Sequence, residues 1–171
     1  MPAPVSIPTA FRQAVQRHPE AALVVTPGAT HSFMQIDAAS DALAAALADV
    51  SIAKGDRVAL YCPNVVEFVI SYLGIVKAGG VVVPVNLLIQ PAEIRYVLED
   101  ADVRGVIYHA ALAEKIAALR PDLALDPHWV CIGAAAAESG DQDFSVLISC
   151  GLPVPAPEID PDRDLAAILY T

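Results

Sequence analysis

A lysine beside a pair of glycines is the first feature of the sequence whose residue types suggest chemistry. Lys77 is followed closely by Gly79 and Gly80, and glycines with a lysine bind phosphate when they lead into a helix N-terminus. Here the glycines follow a helical pattern instead, and the C-terminal end of a helix disfavours anions and favours a cation. We therefore predict that Lys77 caps the end of its helix and that the two glycines form a turn.

Acid–base, metal and nucleophilic chemistry have little support in the residue pattern. Glu67, Glu93 and Glu99 lie on predicted helices, where helix capping and solvation account for them without a paired-carboxylate site. No G-x-S-x-G motif marks a nucleophilic serine. The four histidines lack the spacing of metal ligands and are expected on the surface or in loops: His18, His31, His109 and His128.

The cysteines and one asparagine are the remaining candidates. Cys62, Cys131 and Cys150 are far apart and form no C-x-x-C pair, so we expect buried free thiols and neither a disulfide framework nor a zinc site. Asn86 follows a predicted strand. It either orients a loop near a substrate or, as the plainer interpretation, belongs to a turn.

Charge and hydropathy exclude several classes of partner. The formal net charge of −10 would repel a phosphate backbone, so nucleic acid is not an expected partner. The densest apolar stretch, residues 65–89, is interrupted by Glu67, Lys77, the glycine pair and Pro84, and it falls short of the roughly 20 apolar residues of a spanning helix. The N-terminus lacks the pattern of a secretory signal. We therefore expect no transmembrane segment and a cytoplasmic location.

Helical and strand patterns alternate along the chain and position these residues. The first half predicts a helix over 9–17 with Thr9 as N-cap, a hairpin from strands 21–25 and 31–33, and a helix behind a Ser32/Gln35 capping box. These are followed by a strand over 57–62, a helix over 65–78 capped by Asn64 and Glu67, and a strand over 81–83. The second half predicts a helix from Pro91 to about 99, a strand over 105–108, a helix over 110–119, a strand over 129–132 and a short helix over 144–149.

This alternation predicts an α/β fold with a mostly parallel, doubly wound sheet, helices on both faces and a small N-terminal hairpin. Residues 1–171 form one predicted domain, within which 151–164 are a proline-rich connector. Residues 165–170 have the composition of one more buried strand, directly before the final Thr171. Because an uncovered strand is a poor end for a domain, we expect the chain to be truncated.

Several of these segments, taken in order, resemble the N-terminal part of AMP-forming acyl-CoA synthetases, members of the adenylate-forming (AMP-binding) superfamily. The segments are THSFMQI at 30–36, GDRVA at 55–59, PNVVEF at 63–68, YLGIVKAGGVVVPVN at 72–86 and EIRYVLEDA at 93–101. Each is weakly specific alone, but their ordered combination spans about residues 9–171. The segment AAILYT at 166–171 is similar to the strand that precedes the phosphate-binding loop of the family.

The resemblance implies that Thr171 is the first residue of that nucleotide-binding loop and that no catalytic or metal-binding residue lies within the chain. A full-length parent would be an ATP-dependent ligase that activates a fatty or aryl carboxylic acid as an acyl-adenylate and transfers it to CoA. ATP, Mg²⁺ and CoA would be its cofactors, none of them expected on this fragment. The remainder of the enzyme would be the missing partner, and its absence would leave apolar surface open to self-association.

Two rival interpretations remain at this point. The VVVPVN sequence at 81–86 favours a resemblance to fatty- or aryl-acid CoA ligases, since peptide-synthetase domains usually carry an aromatic residue and an aspartate there. The alternative from another class is a free-standing, flavodoxin-like binding or interaction module. A reading frame that continues into a Ser/Thr/Gly-rich loop would favour the first, and a stop after Thr171 the second.

Overall fold

The N-terminal segment pairs a helix with a two-stranded hairpin. In the computed structural model, which describes residues 4–133, 139–149 and 151–171, α1 (Ile7–Arg17) precedes β1 (Ala22–Val25) and β2 (Thr30–Ser32), and the two strands are antiparallel. The helix starts earlier than predicted, because the N-cap is Ser6, whose hydroxyl accepts a hydrogen bond from the Thr9 N–H. The predicted hairpin is confirmed.

Five parallel strands form the main sheet, in the spatial order β4-β3-β5-β6-β7. They are β3 (Arg57–Tyr61), β4 (Val81–Pro84), β5 (Val103–His109), β6 (His128–Ile132) and β7 (Gln142–Asp143). Their near-continuous apolar sequences match the burial of both faces of a parallel sheet. The predicted α/β fold with a parallel sheet is confirmed.

Helices cover both faces of this sheet. They are α2 (Phe33–Asp49), α3 (Val66–Lys77), α4 (Pro91–Asp100), α5 (Ala113–Leu119) and α6 (Phe144–Leu147). One core cluster packs residues of α2, α3 and α6 against the sheet, and a second packs residues of α4 and α5 against the opposite face. Two short 3₁₀ turns, Ala110–Leu112 and Arg120–Asp122, flank α5, so the helix predicted over 110–119 is split.

The helix caps predicted from the sequence are only partly confirmed. The Ser32/Gln35 capping box is present in both directions, at 3.3 Å for the Gln35 N–H to the Ser32 hydroxyl and 2.9 Å for the Ser32 N–H to the Gln35 side chain. The predicted Asn64 cap is wrong: the N-cap of α3 is Val65, without a side-chain bond. The Val65 N–H donates to the Pro63 carbonyl at 2.8 Å, which starts the helix one residue later.

The turn before β3 connects the sheet to the end of α4. Arg57 donates from Nε to the Ala101 carbonyl and from Nη2 to the Asp102 carbonyl, both at 2.7 Å. These carbonyls follow the last turn of α4, where a helix leaves acceptors unpaired and favours a cation. The glycine–aspartate–arginine turn therefore fixes the end of α4 to the start of β3, a strand inside the sheet.

The predicted strand over 165–170 needs correction. It pairs only through an isolated parallel bridge between Val82 and Ala167, in which the Val82 N–H donates to the Ala166 carbonyl at 3.0 Å and the Ile168 N–H donates to the Val82 carbonyl at 2.9 Å. Leu165 and Leu169 are 64% and 72% exposed, so the segment is not buried on both faces. It lies beside β4 and covers one row of its backbone groups, after a connector (151–164) that has no regular strand or helix.

Candidate functional site

A groove opens where β4 and the terminal segment both end. Ligands of open parallel α/β sheets bind at the carboxyl ends of the strands, and Thr171 and Asn86 both lie just beyond such ends. We name this cavity the terminal groove. Its volume is about 610 Å³, and it is lined by Pro84, Val85, Asn86, Ile89, Ala92, Glu93, Tyr96, Val97, Tyr170 and Thr171.

The polar side chains of the terminal groove are mostly engaged in local structure. The Asn86 side-chain oxygen accepts the Leu88 N–H at 2.9 Å, so the turn interpretation of this asparagine is confirmed. Glu93 accepts the Gln90 N–H at 2.8 Å in a capping box at the start of α4, as its predicted capping role requires. Thr171 is exposed at the rim, while Tyr96 is 62% exposed.

Tyr170 fixes the terminal segment to α4. Its hydroxyl donates to Oδ2 of Asp100 at 2.7 Å, a contact across seventy positions of sequence. Burial, reinforced by the hydrogen bond and the negative charge of Asp100, raises the pKa of Tyr170 to about 12. The phenol is therefore neutral in the folded protein near neutral pH, and it holds the backbone that leads to Thr171.

Lys77 takes a different role from the one predicted. Its ammonium turns away from the carbonyls that end α3 and lies buried against α2, 2.6 Å from Asp37 Oδ1, 2.8 Å from Asp41 Oδ1 and 2.8 Å from the Ser40 hydroxyl. The ring of Phe11 on α1 completes the site, 5.3 Å from the ammonium. Lys77 is thus a tertiary ion-pair residue of the helical layer and does not serve as a phosphate ligand.

A second polar cluster lies on the opposite face of the sheet. The Tyr108 hydroxyl donates to Asp141 at 2.6 Å, Arg120 also pairs with Asp141, and the Arg120 guanidinium stacks 4.0 Å from the centre of the Trp129 ring. Burial raises the pKa of Asp141, but the hydrogen bonds from Arg120 and Tyr108 outweigh it, and the net pKa is lowered. Sequence reasoning missed this cluster, because its members come from separate elements of the chain and form no local motif.

The other predicted candidates do not converge on a site. His18 is the C-cap that follows α1, His31 lies in β2, His109 ends β5 and His128 begins β6. Among the described residues, no group of three or more histidine, cysteine or acidic side chains could hold a metal ion. Within the same part of the chain, no helix is long and apolar enough to cross a membrane.

The cysteines behave as structural side chains where they are described. Cys62 and Cys131 are buried free thiols, as predicted. Burial, followed by the charge of Glu67, raises the pKa of Cys62 to about 12, and burial also raises the pKa of Cys131. Neither thiol is activated as a nucleophile, because the thiolate is the reactive form. Cys150 lies outside the described residues.

The fold is that of the N-terminal domain of adenylate-forming enzymes, and comparison with known proteins agrees. The chain belongs to the AMP-binding enzyme family, which it matches over residues 11–171. It is 32% identical over 131 residues to a medium/long-chain-fatty-acid–CoA/3-oxocholest-4-en-26-oate–CoA ligase of Mycobacterium tuberculosis, covering 77% of this chain and 23% of the ligase. The family resemblance inferred from the sequence is confirmed.

Two further comparisons extend this result. Syringomycin synthase SyrB1 of Pseudomonas syringae pv. syringae is 35% identical over 161 residues, covering 94% of this chain and 24% of the synthase. A solved Mycobacterium tuberculosis fatty acyl CoA synthetase superposes with a TM-score of 0.80 at 33% identity, covering 96% of this chain and 32% of that protein. The chain therefore spans about a quarter of the length of the curated relatives that it matches.

Proposed function

We propose that this chain is the N-terminal subdomain of an AMP-forming acyl-CoA ligase. The longer protein activates a carboxylic acid with ATP as an acyl-adenylate, releases pyrophosphate and transfers the acyl group to CoA. The observation that carries this proposal is the family match, which runs through Thr171. It is supported by the position of Thr171 on the rim of the terminal groove, at the carboxyl end of the segment beside β4.

Within this proposal, Thr171 begins the phosphate-binding loop, and the chain serves as a scaffold. The groups lining the terminal groove do not fit a triphosphate by themselves, because the lining includes neither lysine nor arginine and Glu93 adds a negative charge. They do not fit Mg²⁺ either, since Glu93 is its one carboxylate and is engaged in helix capping. ATP, Mg²⁺ and CoA are therefore assigned to the longer protein, and none is expected to bind to residues 1–171 alone.

The acid substrate is proposed as a fatty or aryl carboxylic acid. The VVVPVN sequence at 81–86 supports a CoA ligase, because peptide-synthetase domains usually carry an aromatic residue and an aspartate within the corresponding segment. The ligase and synthetase relatives named above agree with this choice, whereas the similarity to a syringomycin synthase keeps transfer to another thiol as the competing outcome. Thioester formation with CoA added as the acceptor discriminates between the two.

The proposal has consequences for the behaviour and location of the chain. Leu165 and Leu169 expose apolar surface on the segment beside β4, which the rest of the enzyme would cover. The chain alone is therefore expected to self-associate. A cytoplasmic location is part of the proposal, because the substrates ATP and CoA are supplied there.

Three observations test this proposal directly. The reading frame should continue from Thr171 into a Ser/Thr/Gly-rich segment that ends in lysine, and the intact mass of the gene product should exceed that of residues 1–171. Calorimetric titration of residues 1–171 with ATP should give no heat of binding. A stop after Thr171, or micromolar affinity of the chain alone for ATP, would refute the truncated-site interpretation and favour a free-standing binding module.

A further inference from the structure

A buried carboxylate holds the last strand of the main sheet in place. Asp141 lies directly before β7, and its side chain is only 5% exposed. The Tyr108 hydroxyl on β5 donates to Asp141 Oδ2 at 2.6 Å, and the Arg120 guanidinium pairs with the same oxygen. Arg120 in turn stacks on the Trp129 ring of β6. Asp141 is therefore tied to the two strands that precede β7 in the sheet.

Residues 141–148, which we name the edge strap, cross from one face of the sheet to the other. Asp141 is bonded to Tyr108, which belongs to the core cluster beneath α4 and α5. Phe144 on α6 is 2% exposed in the core cluster of the opposite face, where Leu147 also packs. The edge strap thus has a polar anchor on one face and an apolar anchor on the other, and β7 joins them around the edge of the sheet.

The edge strap covers a strand that has little protection of its own. Gln142 pairs with Val130 and Asp143 with Cys131, so β7 covers two of the five positions of β6. The β6 sequence, HWVCI, contains no lysine, acidic residue or proline. Charged residues and proline are the usual means of keeping a sheet edge from pairing with another chain. Protection of this edge therefore depends on the edge strap staying closed.

We propose that the edge strap opens as a unit, that Asp141 is its latch, and that the open state lets β6 pair with β6 of a second copy of this chain. Two copies of one strand pair about a twofold axis, which closes the assembly as a dimer. The bonds of the latch lie in side chains, so their loss frees the edge strap and leaves the pairing of β5 with β6 intact. The inference does not rest on the proposed function, since none of its residues lines the terminal groove.

The first experiment follows amide hydrogen exchange in residues 1–171. Asp141→Asn keeps the shape of the side chain and removes its charge, so exchange at 142–148 should speed up by about thirtyfold, while 57–61 in β3 stay protected. Asp122→Asn is the matched control, because it removes the same charge from an exposed pair with Arg95 and should leave the edge strap unchanged. Unchanged exchange at 142–148 in Asp141→Asn, or an equal increase in β3, overturns the latch.

The second experiment asks what the open edge binds. Asp141→Asn combined with Phe144→Ala removes both anchors and should leave the edge strap open most of the time. The variant is made together with Leu165→Lys and Leu169→Lys, so that the exposed leucines of the terminal segment do not contribute to association. Sedimentation velocity should then show a dimer, whereas the same chain with both anchors intact should be monomeric. A monomer in both cases contradicts pairing through β6.

Hydrogen exchange of this variant locates the dimer contact. Raising the protein concentration should slow exchange at 128–132 in β6 and leave 142–148 fast. Protection of neither segment would refute the contact, and protection of both would mean that the edge straps are exchanged between copies instead. Residues 57–61 in β3 should stay protected throughout. Loss of protection there would also overturn the inference, because the edge strap would not then open separately from the rest of the sheet.

Discussion

The Nζ atom of Lys77 on α3 lies 2.6 Å from Oδ1 of Asp37 on α2, with the lysine side chain only 1% exposed. Removing one partner of a buried pair leaves the opposite charge uncompensated. Lys77→Met should therefore lower the free energy of unfolding by about 3 kcal/mol. This is the low end of the range for a buried pair, because Asp37 is partly exposed. Urea denaturation measures the change. Lys54→Met breaks a solvent-accessible pair and should cost less than about 1 kcal/mol; equal losses in the two variants would contradict the burial argument.

Gly74 on α3 marks the closest approach of α3 to α2. A Cβ atom at this position would lie 2.8 Å from Cδ2 of Leu43, a side chain that is fully buried. Helix propensity alone would make Gly74→Ala stabilising by about 1 kcal/mol, but the overlap should reverse the sign and give a net loss of about 1 kcal/mol. Thermal unfolding tests the sign. Gly28→Ala is the control, since a Cβ atom there would meet nothing within 4 Å, and a stabilised Gly74→Ala variant would argue against tight helix packing.

The hydrogen bond between Tyr170 and Asp100 predicts a pH dependence of stability. The pKa of Tyr170 is raised from 10.0 to about 12 in the folded protein, because burial and Asp100 disfavour the phenolate. The contribution to stability is therefore complete below pH 10 and is lost as the pH rises toward 12. Tyr170→Phe should abolish this part of the pH dependence. The pKa of Tyr170 is measured as the difference in phenolate absorbance between wild type and Tyr170→Phe across alkaline pH. A difference curve with its midpoint at the ordinary tyrosine pKa of 10.0 would contradict the contact.

The exposed leucines on the terminal segment predict association of the chain. Leu165 and Leu169 are 64% and 72% exposed beside the edge of the sheet. Sedimentation velocity should therefore show reversible self-association of residues 1–171 at high concentration. Replacing both leucines with lysine should shift the equilibrium toward monomer, because charged residues protect sheet edges. A wild-type chain that stays monomeric over the whole concentration range would count against this surface.

Local signals in the sequence predicted the fold well. The Ser32/Gln35 capping box involves residues three positions apart, so the pattern already contains both partners. The apolar strands and intervening helices likewise carry their own periodicity, which is why the parallel sheet could be predicted. Asn64 shows the limit of this reasoning, since a hydrogen bond from Val65 to Pro63 moves the helix start by one residue.

Contacts between distant residues could not be predicted. Nothing near Lys77 in the sequence indicates that its ammonium binds α2, because its partner Asp37 is forty positions away. The terminal groove could not be predicted for the same reason. Asn86 and Thr171 are each candidates in the sequence, but their proximity depends on the pairing of Val82 with Ala167. The strand over 165–170 was overpredicted for the same reason, since apolar composition alone does not tell whether a neighbour covers both faces.

Carboxylate-dependent exchange of labelled pyrophosphate into ATP tests the central claim most directly, because it reports acyl-adenylate formation without the later thiol step. We predict that the full-length gene product catalyses this exchange with a fatty or aryl acid, while residues 1–171 assayed in parallel do not. Exchange by residues 1–171 alone, or its absence from the full-length product across a panel of fatty, aryl and amino acids, would contradict the account.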